Sequence, residues 1–431
     1  MRKSSLFAAV ATIASLSAVR GFSDEGPFRF GATLRVDLHH VGDHRRDRFL
    51  VDELRAEGAW PSSRTQLLDD ANFGSTRAEV YSLGRRPRLL YSYGYCSLFG
   101  EWRTTDEAKK RARVFSETVR LPMPSSAVRL VMKNRNRRGR WVKVFDTQLD
   151  PDAVEVSRER RHGGLTVRRL HGKGAPARSL DIVVLGDGYQ AWQMDKFRQD
   201  AARFAGVLVH TPPFSRYRDR INVWAVESPS RESGVDEPRK GIFRDTALSM
   251  TFNTFGSARY LMTTDNKAVR DVAANAPCDA VYIMSNTSRY GGGGIYNLYA
   301  SFVSDNAYDE YVYVHEFGHS FAGLADEYYT SKVAYNNMYP RGVEPWEPNI
   351  TAEKTRARVK WRDQIEAATP VPCAESDRRC AGKVTLFEGA GYSAKGLYRS
   401  FLDCKMFNKG HKPFCPVCMR AVSRMIERYL K

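Results

Sequence analysis

Long apolar runs are missing from this chain. Apart from a short stretch at the amino terminus, no segment of its 431 residues approaches the roughly 20 apolar residues that a membrane-spanning helix needs. Internal repeats and long low-complexity segments are absent too, which excludes a solenoid or an extended polar tail. No phosphate-binding glycine loop, recognition-helix pattern or aromatic nucleic-acid platform occurs. Acidic residues are few beside basic ones, 49 against 67, and the formal charge of +18 invites a nucleic-acid or membrane-surface reading. The excess, however, lies in short clusters: Arg45 and Arg46 with Arg48, Arg135 to Arg140, and Arg158 to Arg161. The middle cluster, within Asn134 to Arg140, separates two alternating runs, Val128 to Met132 and Trp141 to Phe145, and so predicts the polar tip of a β-hairpin. Specific nucleic-acid binding is not expected, only weak, salt-sensitive attraction to acidic polymers or cell surfaces.

Cysteine is sparse over most of the chain: of seven, five follow position 370. That spacing suggests local cross-links in an oxidising compartment, Cys373 with Cys380 and Cys404 with Cys415 or Cys418. The Cys415-Pro-Val-Cys418 pair also fits half of a structural zinc site completed by Cys404 and His411, or a redox pair. The odd total leaves a thiol over, with Cys96 or Cys278 the expected one. At the amino terminus, Met1-Arg2-Lys3 precedes the small, apolar run Ser4 to Val19, the pattern of a secretory signal cleaved near Ala18 to Phe22. The expectation is a secreted or periplasmic protein, with association to the cell surface as a further option.

What is present in concentrated form is residues 315 to 327, His-Glu-Phe-Gly-His-Ser-Phe-Ala-Gly-Leu-Ala-Asp-Glu. On a helix His315 and His319 are one turn apart, so both rings leave one face and can meet one ion. Glu316 points about 100° away, poorly placed as a ligand but able to reach a water held by a metal. A catalytic zinc takes three protein ligands and keeps a fourth position for water. Gly323 can stop the helix in the left-handed conformation and turn the chain so that Asp326 faces the ion, with Glu327 as its rival. Val314, Phe317, Phe321 and Leu324 recur at helical spacing as a core stripe, off which the histidines and Ala322 sit. Asp305 or Asn306 can cap this helix, and Asp309 and Glu310 suit its first turn. The pattern predicts a zinc hydrolase, a peptidase first of all.

The stretch His315 to Tyr328 resembles the zinc motif of the secreted bacterial metallopeptidases typified by an immunoglobulin A peptidase. The stretches Leu90 to Thr105, Phe387 to Arg399, Cys404 to Met406 and Phe414 to Cys418 are similar to other parts of that family, so the resemblance covers nearly the whole chain. It implies an extracellular zinc endopeptidase with one catalytic Zn²⁺ and protein or glycoprotein substrates, but not immunoglobulin in particular. A glycine followed three residues later by a ligand resembles metzincins, which implies His315, His319 and Asp326 as ligands and Glu316 as general base. The same likeness implies that Met406 forms an apolar floor under the ligands. Tyr392 and Tyr398 are candidate phenolic donors to the oxyanion. The competing readings are a non-enzymatic surface or carbohydrate-binding protein on a peptidase scaffold, disfavoured by the intact Glu316, and a zinc hydrolase of a non-peptide amide or ester.

Along the chain the expected fold is mixed α and β: a signal peptide over 1–22, a β-rich accessory domain over 23–156, a linker over 157–178 and a metzincin-like catalytic domain over 179–431. Thr33 to Leu38 and Leu89 to Tyr95 read as strands of the first domain. In the second, Asp181 to Leu185, Ile221 to Val226 and Asp279 to Ser285 read as strands, Gln190 to His210 as a helix, and Pro416 to Tyr429 as a terminal helix docked on the core. This alternation predicts a mixed sheet flanked by helices, with the zinc helix packed against it. Tyr290 to Asn297 carries four glycines before the run Leu298 to Val303. It is either an edge strand that hydrogen-bonds an extended peptide beside the metal or a plain hairpin loop.

Overall fold

The computed structural model describes residues 26–330 and 338–431; the expected signal segment lies outside them. The amino-terminal strands are β1 (Phe28–Gly42), β2 (Asp47–Glu57), β3 (Thr76–Ser82), β4 (Leu89–Tyr95), β5 (Arg113–Pro124), β6 (Val128–Arg135), β7 (Trp141–Leu149) and β8 (Val156–Ser157), with the short helix α1 (Leu98–Trp102) between β4 and β5. They form two four-stranded sheets, β5-β1-β2-β8 and β4-β3-β6-β7. Leu34, Val36 and Leu38 of β1 and Leu121 of β5 meet Val80 of β3 and Leu130 of β6 in one core, so the two sheets make a sandwich. The basic run around Arg137 is the tip of the β6–β7 hairpin, as its flanking alternation predicts.

In the middle of β1 the alternate residues are not solvent-facing either. Arg35 and Asp37 are each 1 % exposed, because the outer face of this sheet docks on the rest of the molecule. Arg35 bridges Asp37 at 2.8 Å and Asp271 at 2.5 Å, and Asn266 Nδ2 donates to Thr118 Oγ1 at 2.8 Å. The docking surface is thus a hydrogen-bonded ionic layer, the form in which buried charge is tolerated.

Beyond it lie β9 (Thr166–His171), β10 (Leu180–Asp187), α2 (Met194–His210), β11 (Ile221–Glu227), α3 (Asn266–Ala273), β12 (Ala280–Ser285), β13 (Gly292–Ile295), β14 (Tyr299–Val303) and α4 (Asp309–Ala322). The sheet order is β13-β14-β12-β10-β11-β9, parallel through β14, β12, β10 and β11, with an antiparallel strand at each edge. The mixed sheet expected from alternating strands and helices is therefore present. Edge strand β9 falls within the stretch 157–178 expected as a linker. Every residue of β10 is buried, and the period of two explains how. Ile182 and Val184 pack with Phe197 and Phe204 of α2 and Phe317 of α4, whereas Val183 and Leu185 pack on the other face with Val269 and Val272 of α3. The chain ends in a small sheet, β15 (Ile350–Thr351), β16 (Phe387–Ala390) and β17 (Ser393–Arg399) in the order β15-β17-β16, and in α5 (Pro416–Tyr429). Pro416 at the first turn fixes where α5 starts, and Val422, Met425 and Ile426 bury its inner face. No helix among the described residues is long and apolar enough to cross a membrane.

At one end of the sheet two carboxyls meet: Asp279 Oδ2 accepts from the Asp181 amide at 2.9 Å, while Asp181 Oδ1 accepts from Trp224 at 2.7 Å and Asn222 at 3.0 Å. Burial raises Asp181 to about 6, and burial together with the neighbouring Asp181 charge raises Asp279 to about 8. Both groups thus hold protons in the fold that the unfolded chain releases near pH 4, so their contribution to stability falls as pH rises from about 4 to about 8. Asp279→Asn is expected to flatten this decline and to be more stable than the parent at pH 8 by about 1–2 kcal/mol. Urea midpoints at pH 5 and pH 8 check this, and parallel shifts in parent and variant would refute it.

Candidate metal centre and its cleft

Helix α4 carries the centre. Val314, Phe317 and Phe321 bury one stripe in the core, which leaves His315, Glu316 and His319 to line a cleft of about 780 Å³. The helix is not started by the capping expected of Asp305 or Asn306. Tyr308 is the N-cap and makes no side-chain cap bond; Asn306 Oδ1 accepts from the Tyr308 amide at 3.0 Å, and Asp305 binds Lys196 at 2.9 Å. These polar side chains serve the preceding turn instead. Asp309 and Glu310 do occupy the first turn, favourable to the helix dipole.

The helix stops as expected at Gly323, which is left-handed at φ 64°, and a Cβ there would meet the Trp346 ring at 2.8 Å. The amides of Gly323 and Leu324 fold back onto the His319 and Gly318 carbonyls, both at 3.1 Å. This reversal carries Asp326 onto the histidines. Its Oδ1 lies 3.1 Å from His315 Nε2 and 3.3 Å from His319 Nε2, and the two Nε2 atoms are 3.2 Å apart. Ligands about 2.0–2.1 Å from a tetrahedral zinc stand about 3.3 Å from one another. The three atoms therefore have the spacing of one face of such a polyhedron.

The other ring nitrogens are committed to backbone. His315 Nδ1 is 3.0 Å from the Lys405 carbonyl and His319 Nδ1 is 2.6 Å from the Leu324 carbonyl. A carbonyl only accepts, so each Nδ1 carries the proton and each Nε2 turns its lone pair to the common point. The Tyr392 hydroxyl donates to Asp326 Oδ2, while Asp326 Oδ1 is buried and accepts no well-formed hydrogen bond. Burial alone would lower His319, yet Asp326 raises it to about 9. The arrangement calls for positive charge at one point, which a proton or a divalent cation supplies. Glu316 brings a carboxylate oxygen within 4.8 Å of both imidazoles. Burial pushes its pKa up, the imidazoles hold it back, and Asp326 adds to the rise.

The other sequence candidates separate. Glu327 points away from the histidines: its Oε1 accepts from Asn349 at 3.0 Å and lies 3.3 Å from Cys418 Sγ. Met406 is fully buried, its carbonyl accepts from the Glu327 amide at 2.8 Å, and a Cβ on Gly318 would meet its sulfur at 3.0 Å, so it packs directly on α4. Tyr392 lines the cleft, but Tyr398 does not. It is buried on β17, paired with Thr351 and Glu388, because the hairpin register turns it inward. Among the cysteines, Cys373 and Cys380 form a disulfide, whereas Cys404 forms no disulfide with Cys415 or Cys418, and Cys96 and Cys278 are free thiols.

The four-glycine run is an edge strand, β13, laid along α4. A Cβ at Gly294 would collide with the Glu316 carbonyl and reach His319 Cβ at 2.9 Å, and one at Gly293 would strike Met262 and Tyr260 at 2.5 Å. Glycine is required because two backbones pass in contact. Part of the edge is occupied, since the Gly292 amide donates to Arg259 at 3.1 Å and its carbonyl accepts from Leu261 at 3.3 Å. Sequence reasoning missed Arg259, Tyr290 and Tyr328, which line the same cleft, with Arg259 Nη2 3.2 Å from the Tyr328 hydroxyl. Arg259 belongs to no motif; Tyr328 closes the stretch that begins at His315 and Tyr290 adjoins the glycines, but neither position announces a side chain in the cleft.

The family model described as IgA Peptidase M64 matches residues 169–380 and 373–426, and that described as Peptidase M64 N-terminus matches residues 27–146. No curated protein matches the chain.

Proposed function

The chain belongs to the IgA peptidase M64 family and is by that membership a peptidase; on this footing we propose that it is a secreted, zinc-dependent endopeptidase of proteins or glycoproteins. The observation that carries the proposal is the convergence of His315 Nε2, His319 Nε2 and Asp326 Oδ1 within 3.1 to 3.3 Å of one another, with both Nδ1 atoms tied to backbone carbonyls. We assign these three side chains as metal ligands and Glu316 as general base. When bound, zinc supplies the Lewis acidity that polarises the scissile carbonyl and makes water nucleophilic near neutral pH.

The remaining steps belong to side chains. Glu316 takes the proton of the attacking water and delivers it to the departing amine, so one carboxylate serves as base and then as acid. Tyr290 and Arg259 face the cleft with a phenol and a guanidinium suited to an oxygen gaining negative charge. Tyr392 positions Asp326 through its hydrogen bond. An extended substrate adds to the β13 edge at Gly294, which lies two residues beyond the bridged Gly292 and so presents its backbone on the same side. Residues 1–22 are assigned as the secretion signal, 23–156 and 179–431 as accessory and catalytic domains, and 157–178 as the segment joining them. The Cys373–Cys380 disulfide supports an oxidising compartment.

The purified chain is expected to cleave unfolded or glycosylated proteins, to lose this activity on chelation, and to recover it when Zn²⁺ is restored. Cleavage by protein shown to be metal-free would overturn the proposal, and hydrolysis confined to non-peptide amides or esters would redirect it.

A further inference from the structure

The backbone that turns Asp326 toward the histidines turns Glu327 the opposite way, into a group of cysteines from the end of the chain. Glu327, Cys404, Cys415 and Cys418 each offer one ligand atom, all within 4.8 Å of one another, and each residue is at most 3 % exposed. We propose that these four residues form a second, structural metal site for a tetrahedral thiolate-binding cation of the Zn²⁺ type, separate from the catalytic centre.

The spacing fits that chemistry. Thiolates about 2.3 Å from a tetrahedral zinc stand about 3.8 Å apart, and a carboxylate oxygen at about 2.0–2.2 Å stands about 3.5 Å from each sulfur. Cys404 and Cys418 Sγ are 3.8 Å apart, and Cys418 Sγ is 3.3 Å from Glu327 Oε1. The amide of Cys415 donates to Cys404 Sγ at 3.2 Å and the amide of Cys418 to Cys415 Sγ at 3.5 Å. Donors aimed at sulfur favour thiolate, as does the amino-terminal end of α5, where Cys415 is the N-cap. Asn349 fixes Glu327 Oε1 at 3.0 Å, and the buried Oε2 has no hydrogen-bond partner. His411, the fourth ligand suggested by sequence, is exposed and outside the cluster, and Glu327 stands in its place. A disulfide would use two of the three sulfurs and leave a thiol beside a buried carboxylate whose Oε1 is held by Asn349 but whose Oε2 has no partner. One divalent cation engages all four groups.

The site would brace the other centre. Cys404 precedes Lys405, whose carbonyl orients His315, and Met406, whose carbonyl receives the Glu327 amide. An ion there clamps residues 404–406 to the Asp326–Glu327 turn. The proposal stands on its own residues and does not depend on the catalytic assignment.

Full-length protein produced with zinc should contain two zinc ions per chain. The double variant H315A/H319A should retain one, and zinc-edge X-ray absorption of that variant should show a first shell dominated by sulfur. Substituting Cys415 with serine should remove this ion. Should the serine variant fail to fold, the double-histidine protein carries the test: no zinc in it, or zinc without sulfur neighbours, overturns the second site. A disulfide among the three cysteines, seen by mass after alkylation without reductant, overturns it equally. If instead the catalytic assignment fails and this one holds, the unaltered chain will contain one zinc, sulfur-bound, and the histidine substitutions will not change its amount.

Discussion

Replacing Glu316 with glutamine should lower kcat for peptide cleavage by about 10²–10⁴-fold, the usual worth of a positioned general base, with KM and metal content near the parent values. Glutamine keeps the shape of the side chain but its amide cannot accept the proton of the attacking water. The proposed metal pocket should not change, because the spacing among His315, His319 and Asp326 does not involve the Glu316 side chain. The split between kcat and KM matters. A merely structural Glu316 would affect stability and both constants together, whereas a base acts on the chemical step. Zinc stoichiometry measured on the preparation used for kinetics separates the two, and a variant within tenfold of the parent rate would remove Glu316 from the mechanism.

Asp326→Ala is expected to remove activity by a different route. It deletes the carboxylate whose Oδ1 lies 3.1 and 3.3 Å from the two imidazole Nε2 atoms, and it removes the group to which the Tyr392 hydroxyl donates. Loss of an outer partner alone weakens metal affinity by about 10–100-fold, so loss of a direct ligand should exceed about 100-fold. Dialysed protein should be metal-depleted and inactive, and a large excess of Zn²⁺ should recover part of the rate. The contrast with Glu316→Gln is diagnostic: one variant is loaded and slow, the other empty. Full zinc retention by Asp326→Ala after dialysis would exclude it as a ligand.

The parts of the molecule legible in the sequence are those governed by local period. Helical spacing puts His315 and His319 on one face, Gly323 ends the helix, a short apolar run locates β10, alternation locates the β6–β7 hairpin, and the Cys-Pro step marks where α5 starts. Beyond a helix stop the chain has no period to read. Whether Asp326 or Glu327 faces the histidines depends on Tyr392 and Asn349, partners 66 and 22 residues away. Arg259 reaches the cleft from a segment that carries no motif, Tyr328 ends the motif but its contact with Arg259 is set by the fold, and Lys405 contributes a carbonyl that no side chain announces. Tyr398 escapes prediction because it lies within β17, paired with Thr351 and Glu388, whereas Tyr392 sits in the turn before that strand. The alternatives for Cys415 and Cys418 can be weighed only with Glu327 placed among them.

The layer around Arg35 makes the amino-terminal sandwich an integral part of the enzyme rather than a detachable module. Phe99, Trp102 and Phe115 share a core with Val183 and Leu185 of the central sheet, and Cys96 and Glu101 form part of the cleft wall. Excising the amino-terminal sandwich would strand Asp271 without its guanidinium, lay open an aromatic face, and breach the cleft wall. Proteolytic removal of the sandwich should therefore not liberate a minimal active fragment; the two parts must fold together to be useful at all.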